Sequence, residues 1–227
     1  MVDTLLFDLD NTLFDFNQAE KIAVGKTLKH FHIEPEATVL KRYSEINLAQ
    51  WKLLEQGKLS RDQVKLSRFQ LLFSELGANV PAEEAALMYE SLLACGHYFI
   101  DGAEELLKTL YGKYRMYLVT NGTLSVQKGR LKSSGISRYF EDIFISEELG
   151  HNKPSVEYFN CCFSRIPGFH RETTVIIGDS LTSDIQGGIN AGIRTIWFNP
   201  AHEKAADIIP DYEFDSLRNL PELLPEL

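Results

Sequence analysis

The sequence predicts an α/β protein with a Rossmann-like, mostly parallel-sheet core domain and an inserted all-helical domain. An apolar run at residues 2–7 has the length of a buried strand. Residues 17–93 read almost wholly as helix, whereas after about residue 100 short apolar runs alternate with helical patterns. Such alternation is typical of right-handed βαβ units. A lone strand is not stable alone, so we expect the first strand to join the later ones in one sheet.

The helical stretch is interrupted at "HIEPEA", "EQGKLS" and "GANVPAEE", which are turn-like segments rich in glycine, proline and polar residues. It contains no strand-like run of its own. We therefore assign residues 1–15 and 97–227 to the α/β core and residues 16–96 to an inserted helical domain.

The second half of the chain supplies the remaining strands and helices of the core. The expected strands are "YRMYLVTNG", "DIFIS", "TTVIIGD" and "RTIWFN". The intervening helices are "LSVQKGRLKSSG", "KPSVEYFNCCFSRI" and "TSDIQGGINAGI", and the second of these is expected to have Pro154 in its first turn. The tail "DYEFDSLRNLPELL" is typical of a short last strand and a closing helix.

Composition narrows the class of partner. A formal net charge of −9 argues against nucleic-acid binding, which needs a basic face. No stretch approaches the roughly 20 apolar residues of a membrane span, and the N-terminus lacks the basic region of a signal peptide. The three cysteines form no CxxC pair, so we expect reduced thiols and a cytoplasmic location. As a separate expectation, the protein is a monomer or homodimer.

Polar residues follow several of the predicted strands. They are Asp8, Asp10, Thr120, Asn121, Asp179 and Asp184, with Lys153 in a loop before a helix. Each alone has a simpler explanation as a turn residue, a helix-capping residue or a solvated lysine. Together they lie at the carboxyl edge of one parallel sheet, which is where open α/β sheets bind ligands.

These segments resemble a known family. "DLDNT", "VTNG", the lysine of "GHNKP" and "GDSLTSD" are similar, in that order, to the four motifs of the haloacid dehalogenase superfamily. The helical insertion after the first motif is similar to the helical cap domain of its phosphatase members. The wording of the core segments resembles the bacterial pyrimidine 5′-nucleotidase branch of that superfamily.

The resemblance implies a phosphatase mechanism with an aspartyl-phosphate intermediate. Asp8 would be the nucleophile, and Asp10 would protonate the leaving oxygen and then activate water. Mg²⁺, or Mn²⁺, would be bound by Asp8, Asp179 and the backbone carbonyl of Asp10. Asp184 would hold metal-bound water or Lys153.

Phosphate binding is the second implication of the resemblance. Lys153 would neutralise Asp8 and the transferring phosphoryl group. The Thr120 hydroxyl and the backbone amides of Leu9, Asn121 and Gly122 would bind phosphate oxygens.

The second aspartate separates this chain from several relatives. Haloacid dehalogenases and phosphonate-cleaving members lack an acid at the position that Asp10 matches. A β-phosphoglucomutase-like mutase keeps both acids but resembles "DGVxxD" followed by a histidine, whereas the first histidine after Asp10 here is His30. A sugar-phosphate or phosphoglycolate phosphatase is the main alternative. A non-catalytic phosphate-binding module is disfavoured because no motif residue is missing.

Aromatic residues suggest the leaving group. Phe14 and Phe16 lie on the outgoing linker, Tyr98 on the returning one, and Trp51 in a helix of the insertion. They could stack on a nucleobase, although for each residue alone packing in the hinge or the helical core is the simpler explanation. We therefore expect a small phosphorylated metabolite, specifically a nucleoside 5′-monophosphate such as dUMP or dTMP.

Overall fold

A sheet of six parallel strands forms the centre of the structure, a computed structural model that describes residues 1–205 and 207–227. The strand order is β3-β2-β1-β4-β5-β6. The strands are β1 (Thr4–Phe7), β2 (Arg115–Thr120), β3 (Asp142–Ile145), β4 (Thr174–Gly178), β5 (Arg194–Phe198) and β6 (Tyr212–Phe214). The predicted α/β fold class with a parallel sheet is thus confirmed.

Strand β1 lies at the point where the strand order reverses. It pairs with β2 on one side and β4 on the other, with Phe7 opposite both Leu118 and Ile177. All four residues of β1 are buried, as expected for a parallel strand that is covered on both faces. Leu5 and Phe7 belong to one hydrophobic cluster and Leu6 to another, so the alternating side chains enter the cores on opposite faces of the sheet.

The chain divides into two compact units, residues 1–15 with 97–227 and residues 16–96. The first unit contains the sheet and its helices. These are α5 (Ala103–Leu110), α6 (Leu124–Ser134), α7 (Ser146–Leu149), α8 (Val156–Arg165), α9 (Gln186–Ala191) and α10 (Leu220–Leu223).

Two helices of the first unit begin differently from the sequence prediction. Helix α8 begins at Val156 because the Ser155 hydroxyl caps it by accepting from the Tyr158 amide, so Pro154 precedes the helix and its expected place in the first turn is wrong. The predicted helix after β4 opens with a wider π-helical turn at Leu181–Ile185 before α9.

The second unit consists of the helices α1 (Phe16–His30), α2 (Ala37–Glu55), α3 (Arg61–Leu76) and α4 (Ala82–Leu93). Its core contains the buried rings of Tyr43, Phe69 and Tyr89, with centroids 5.1–5.6 Å apart. Arg68 is also buried there, where it donates to Asn47 and its guanidinium carbon lies 4.5 Å from the centroid of the Tyr89 ring. Within the described part of the chain, no helix is long and apolar enough to cross a membrane.

Close packing of α9 on the sheet depends on glycine, and substitution of one glycine tests this. A Cβ at Gly188 would lie 2.6 Å from methyl carbons of Ile176 and Thr195, whereas a Cβ at Gly25 in α1 would meet atoms no closer than 3.9 Å. We expect Gly188→Ala to lower the free energy of unfolding by about 1–3 kcal/mol through overpacking.

Gly25→Ala is the matched control, and it is expected to raise the free energy of unfolding by roughly 0.5–1 kcal/mol because alanine favours a helix interior. Urea unfolding followed by circular dichroism measures both variants. A Gly188→Ala protein as stable as the parent would show that α9 can move away from the sheet at no cost.

Candidate active site

The carboxyl ends of three neighbouring strands bring the predicted acidic and hydroxyl residues together. Asp8 follows β1, Thr120 ends β2 and Asp179 follows β4. Because β1 pairs with both β2 and β4, these three positions are adjacent at one edge of the sheet. The edge coincides with the reversal of strand order, the usual ligand position in such folds.

A tight turn after β1 places Asp10 beside Asp8. The amides of Leu13 and Phe14 both donate to the Leu9 carbonyl, and the Asn11 amide donates to the Phe14 carbonyl at 2.7 Å. Asn11 has a φ of +59°, in the left-handed region that asparagine tolerates better than most residues. The "DLDNT" segment is therefore a turn whose geometry favours a residue such as asparagine at its fourth position, Asn11.

Lys153 is the cationic centre of the acidic cluster. Its ammonium donates to Asp8 Oδ1 at 2.6 Å, to Asp184 Oδ1 at 2.6 Å and to the Val119 carbonyl at 2.9 Å. Lys153 and Asp184 are each only 1% exposed. A lysine can be buried to this extent only with its charge compensated, which the two carboxylates do.

The cluster nevertheless contains more negative than positive charge. Burial raises the pKa of Asp8 to about 7, an effect that Lys153 opposes and that the charge of Asp184 reinforces. Burial also raises the pKa of Asp179 well above its usual range, with further contributions from Asp8 and Asp184. Burial alone would lower the pKa of Lys153, but Asp184 and Asp8 raise it above its usual value.

The acidic residues fit a hard divalent cation. Carboxylate oxygens of Asp8, Asp179 and Asp184 all lie within 4.8 Å of one another, and oxygen ligands are what Mg²⁺ prefers. Both oxygens of Asp184 already accept hydrogen bonds, one from Lys153 and one from the Ser180 amide at 3.1 Å. Asp184 is also the most deeply buried of the three residues, which favours Asp8 and Asp179 as direct ligands, with Asp184 holding Lys153 in place.

Asn121 has a role that its sequence position does not reveal. Its side-chain amide donates to the Lys153 carbonyl at 2.9 Å, and its Oδ1 accepts from the Lys153 amide at 2.8 Å. The Asn121 side chain thus fixes the backbone on both sides of Lys153. The predicted phosphate contact of Asn121 involves its backbone amide and not this side chain.

Two further predicted phosphate-binding residues lie at the end of β2. The Thr120 side chain is buried and its Oγ1 accepts from Gln127 Nε2 at 2.9 Å. A Cβ at Gly122 would overlap the Gln127 side chain, so this position must be glycine for Gln127 to lie where it does. Leu9, whose backbone amide is the other candidate, has a fully buried side chain in the core.

Sequence reasoning missed several residues of the site. Thr12 exchanges hydrogen bonds with Asp179: its Oγ1 accepts from the Asp179 amide at 3.1 Å and donates to Asp179 Oδ1 at 3.4 Å. The Trp197 indole donates to the Asp179 carbonyl at 2.8 Å. Gln127 and Arg130 both donate to Asp10. The detectable signal for the last two was their spacing of three residues on a predicted helix, directly after a motif segment.

The four aromatic candidates occupy different environments. Phe14 is fully buried, packs edge-to-face on Phe99 with centroids 5.1 Å apart, and lies 5.2 Å from the guanidinium carbon of Arg130. Phe14 therefore belongs to the interior of the core unit. Its ring has no exposed surface, so the expected stacking of Phe14 on the substrate is wrong. Phe16, Trp51 and Tyr98 are each partly exposed and stay predictions as stacking residues.

The fold and the site define an α/β enzyme with an acidic centre at the carboxyl edge of a parallel sheet. Residues 5–198 match the haloacid dehalogenase-like hydrolase family, and the chain belongs to that family. The family resemblance found in the sequence is thus confirmed.

Similar proteins of the same family extend this result. The chain is 42% identical to HAD-hydrolase YfnB of Bacillus subtilis over 97% of this chain and 94% of that protein. A solved structure of YfnB, described as bound to magnesium, matches with a TM-score of 0.94 and covers 98% of both chains. Pyrimidine 5′-nucleotidase PynA of Streptococcus pneumoniae is 41% identical over 97% of this chain and 94% of its own length. Pyrimidine 5′-nucleotidase YjjG of Escherichia coli is 29% identical over 98% of this chain and 97% of its own length.

Removal of the lysine charge tests its role in the cluster. Lys153→Met leaves Asp8 and Asp184 buried without a cation, so we expect the free energy of unfolding to fall by about 3–5 kcal/mol. Lys128→Met is the control because Lys128, 59% exposed and 3.4 Å from Glu148, forms a surface pair that contributes at most about 1 kcal/mol. Urea unfolding without divalent ions measures both, and equal small losses would contradict the central role of Lys153.

Magnesium binding is expected to stabilise the protein in a pH-dependent manner. Because the pKa of Asp8 and that of Asp179 are raised in the folded protein, their contribution favours folding at acidic pH. For Asp8 this contribution is lost as pH rises from roughly 3.9, the ordinary value, through about 7. Mg²⁺ at ~100 times its Kd should add about 2.7 kcal/mol to the free energy of unfolding. The gain should be larger at pH 8 than at pH 5, where protons compete for the carboxylates.

Thermal unfolding with Mg²⁺ and with EDTA at the two pH values measures this effect. Asp179→Asn should remove the response to Mg²⁺ and, without metal, should be more stable than the parent at pH 8 because it removes one negative charge from the acidic cluster. A variant that still responds fully would exclude Asp179 as a ligand.

Proposed function

We propose that this chain is a Mg²⁺-dependent phosphomonoester hydrolase that works through an aspartyl-phosphate on Asp8 and acts on nucleoside 5′-monophosphates with a pyrimidine base. The observation that carries the mechanism is the different environment of its two neighbouring acids. Asp8 is buried against Lys153, whereas Asp10 is partly exposed and held by Gln127 and Arg130. Paired carboxyls with distinct surroundings can take distinct roles as nucleophile and as acid-base.

In the first step, Asp8 attacks phosphorus and the bond to the leaving oxygen breaks. Lys153 fixes Oδ1 of Asp8, and we assign the attack to the other oxygen of that carboxylate. Asp10 transfers its proton to the departing oxygen, so that the product leaves as a neutral alcohol. The transferred phosphoryl group is then covalently bound to Asp8.

In the second step, water attacks the phosphorus of the aspartyl-phosphate. Asp10, now a carboxylate, accepts the proton of this water, and the bond between phosphorus and Asp8 breaks to release inorganic phosphate. The Thr120 hydroxyl and the amides of Leu9, Asn121 and Gly122 are the proposed donors to phosphate oxygens. Asp8, Asp179 and the Asp10 carbonyl would hold Mg²⁺, which would supply positive charge to offset the carboxylates and the phosphate.

The substrate proposal is supported by two relatives. PynA and YjjG are both named pyrimidine 5′-nucleotidases, and each matches almost the whole of this chain. The likeness covers the helical unit as well as the core, because the 222 residues aligned with PynA span 97% of the chain. A small phosphorylated metabolite is therefore the proposed partner, with a nucleoside monophosphate as the specific substrate.

A panel of monoesters tests the proposal. We expect phosphate release from dUMP, dTMP and UMP with kcat/KM at least about tenfold above AMP, phosphoglycolate and hexose phosphates, which corresponds to about 1.4 kcal/mol of discrimination. EDTA should abolish release and Mg²⁺ restore it. The rate for each substrate is measured from the release of inorganic phosphate, detected with malachite green.

Asp8→Asn is the control for the mechanism, since it should abolish turnover while the circular dichroism spectrum stays unchanged. Faster turnover of sugar phosphates or phosphoglycolate would replace the nucleotide part of the proposal and keep the mechanism. Phosphate transfer between two positions of a sugar without release would indicate a mutase. Activity retained by pure Asp8→Asn protein would reject the aspartyl-phosphate.

A further inference from the structure

Helix α6 holds both oxygens of the Asp10 carboxylate. Gln127 Nε2 donates to Oδ2 at 2.7 Å, and Arg130 Nη1 forms a short ion pair with Oδ1. The two donors are joined to each other, because Arg130 Nη1 also donates to Gln127 Oε1 at 3.0 Å. Gln127 further donates to Thr120, so one side chain connects Asp10 to a predicted phosphate-binding residue.

The burial of these groups is asymmetric. The Arg130 side chain is 0% exposed and Gln127 is 1% exposed, whereas the Asp10 side chain retains 27% of its surface. The Asp10 carboxyl group is therefore bound by two buried donors on one side and exposed to solvent on its other side. Each carboxylate oxygen has two lone pairs, so one hydrogen bond apiece leaves a lone pair for the proton that Asp10 exchanges.

Packing fixes both donors in place. Residues three apart on a helix share one face, so Gln127 and Arg130 point together at Asp10. The Phe14 ring lies against the guanidinium, with its centroid 5.2 Å from the central carbon. The backbone at Gly122 has no room for a side chain because Gln127 occupies that space. An isolated stabilising ion pair would not require a neutral second donor, a supporting ring and a glycine.

The geometry points to Gln127 and Arg130 as positioning residues that hold the Asp10 carboxyl in the orientation needed for proton transfer. This inference rests on the proposed acid-base role of Asp10. Orientation of a catalytic group can contribute strongly to rate, since small displacements of a reacting group cost large factors. Arginine suits the task because it presents rigid donors and stays charged at all working pH values.

Leaving-group dependence separates positioning from a merely structural role. p-Nitrophenyl phosphate releases a good leaving group that needs little protonation, whereas an alkyl ester such as dUMP needs the proton of Asp10. Single-turnover release of the leaving group reports the first step alone. We expect Arg130→Met and Gln127→Met to slow nucleoside release by about 10²-fold, the lower end of general acid contributions, and p-nitrophenol release by less than about fivefold.

Three comparisons make the experiment decisive. Arg130→Lys, which keeps the charge without the planar fork, should lie between the parent and Arg130→Met. Lys128→Met, on the exposed side of α6, should leave both rates unchanged. KM for the alkyl ester should change little in Arg130→Met, because Asp10 acts on the transition state and not on binding.

The outcomes distinguish this inference from the proposed function. Equal slowing of both substrates, or no slowing, would overturn the positioning role while leaving the phosphatase proposal intact. If the nucleotide is not a substrate, the best alkyl ester of the panel replaces it and the comparison still applies. A parent protein that hydrolyses neither the aryl ester nor any alkyl ester would instead reject the proposed function.

Discussion

The contact between the Lys153 ammonium and the carboxylates of Asp8 and Asp184 is the interaction on which the site depends. Acids that follow β1 and β4 are brought together by strand pairing at the reversal of strand order, and burial there makes their charges costly. One lysine compensates part of that charge and leaves a remainder suited to a cation. The surrounding hydrogen bonds serve the same arrangement: Asn121 clamps the Lys153 peptide, and Thr12 and Trp197 hold the Asp179 segment.

Much of this fold could be predicted because its signals are local. The strands β1 and β4 are short continuous apolar runs that end in polar residues, and a parallel sheet brings the ends of such strands to one edge. The start of α8 shows the limit of local signals. Pro154 and Ser155 are both good helix-start residues, and the choice was decided by the Ser155 hydroxyl, which reaches the Tyr158 amide.

The supports of Asp10 could not be predicted in the same way. The buried face of α6 consists of Val126, Gln127, Arg130 and Leu131, so half of it is polar and the helix shows no clear apolar stripe. A prediction from sequence periodicity assumes that polar residues face water. It fails here because the buried Gln127 and Arg130 side chains form hydrogen bonds with the Asp10 carboxylate. Phe14 illustrates the converse error. An aromatic residue beside a motif resembles a ligand contact, but nothing in the sequence distinguishes a ring that meets substrate from one that supports an arginine.

The hydrogen bonds of Lys153 also determine how a phosphate can reach it. An ammonium group has three N–H bonds, and here all three are directed at protein acceptors: Asp8, Asp184 and the Val119 carbonyl. A phosphoryl oxygen can therefore contact Lys153 only by sharing or replacing one of these acceptors. All three N–H bonds of Lys153 are already used, so binding of substrate at this position requires the ammonium group to rearrange its existing hydrogen bonds.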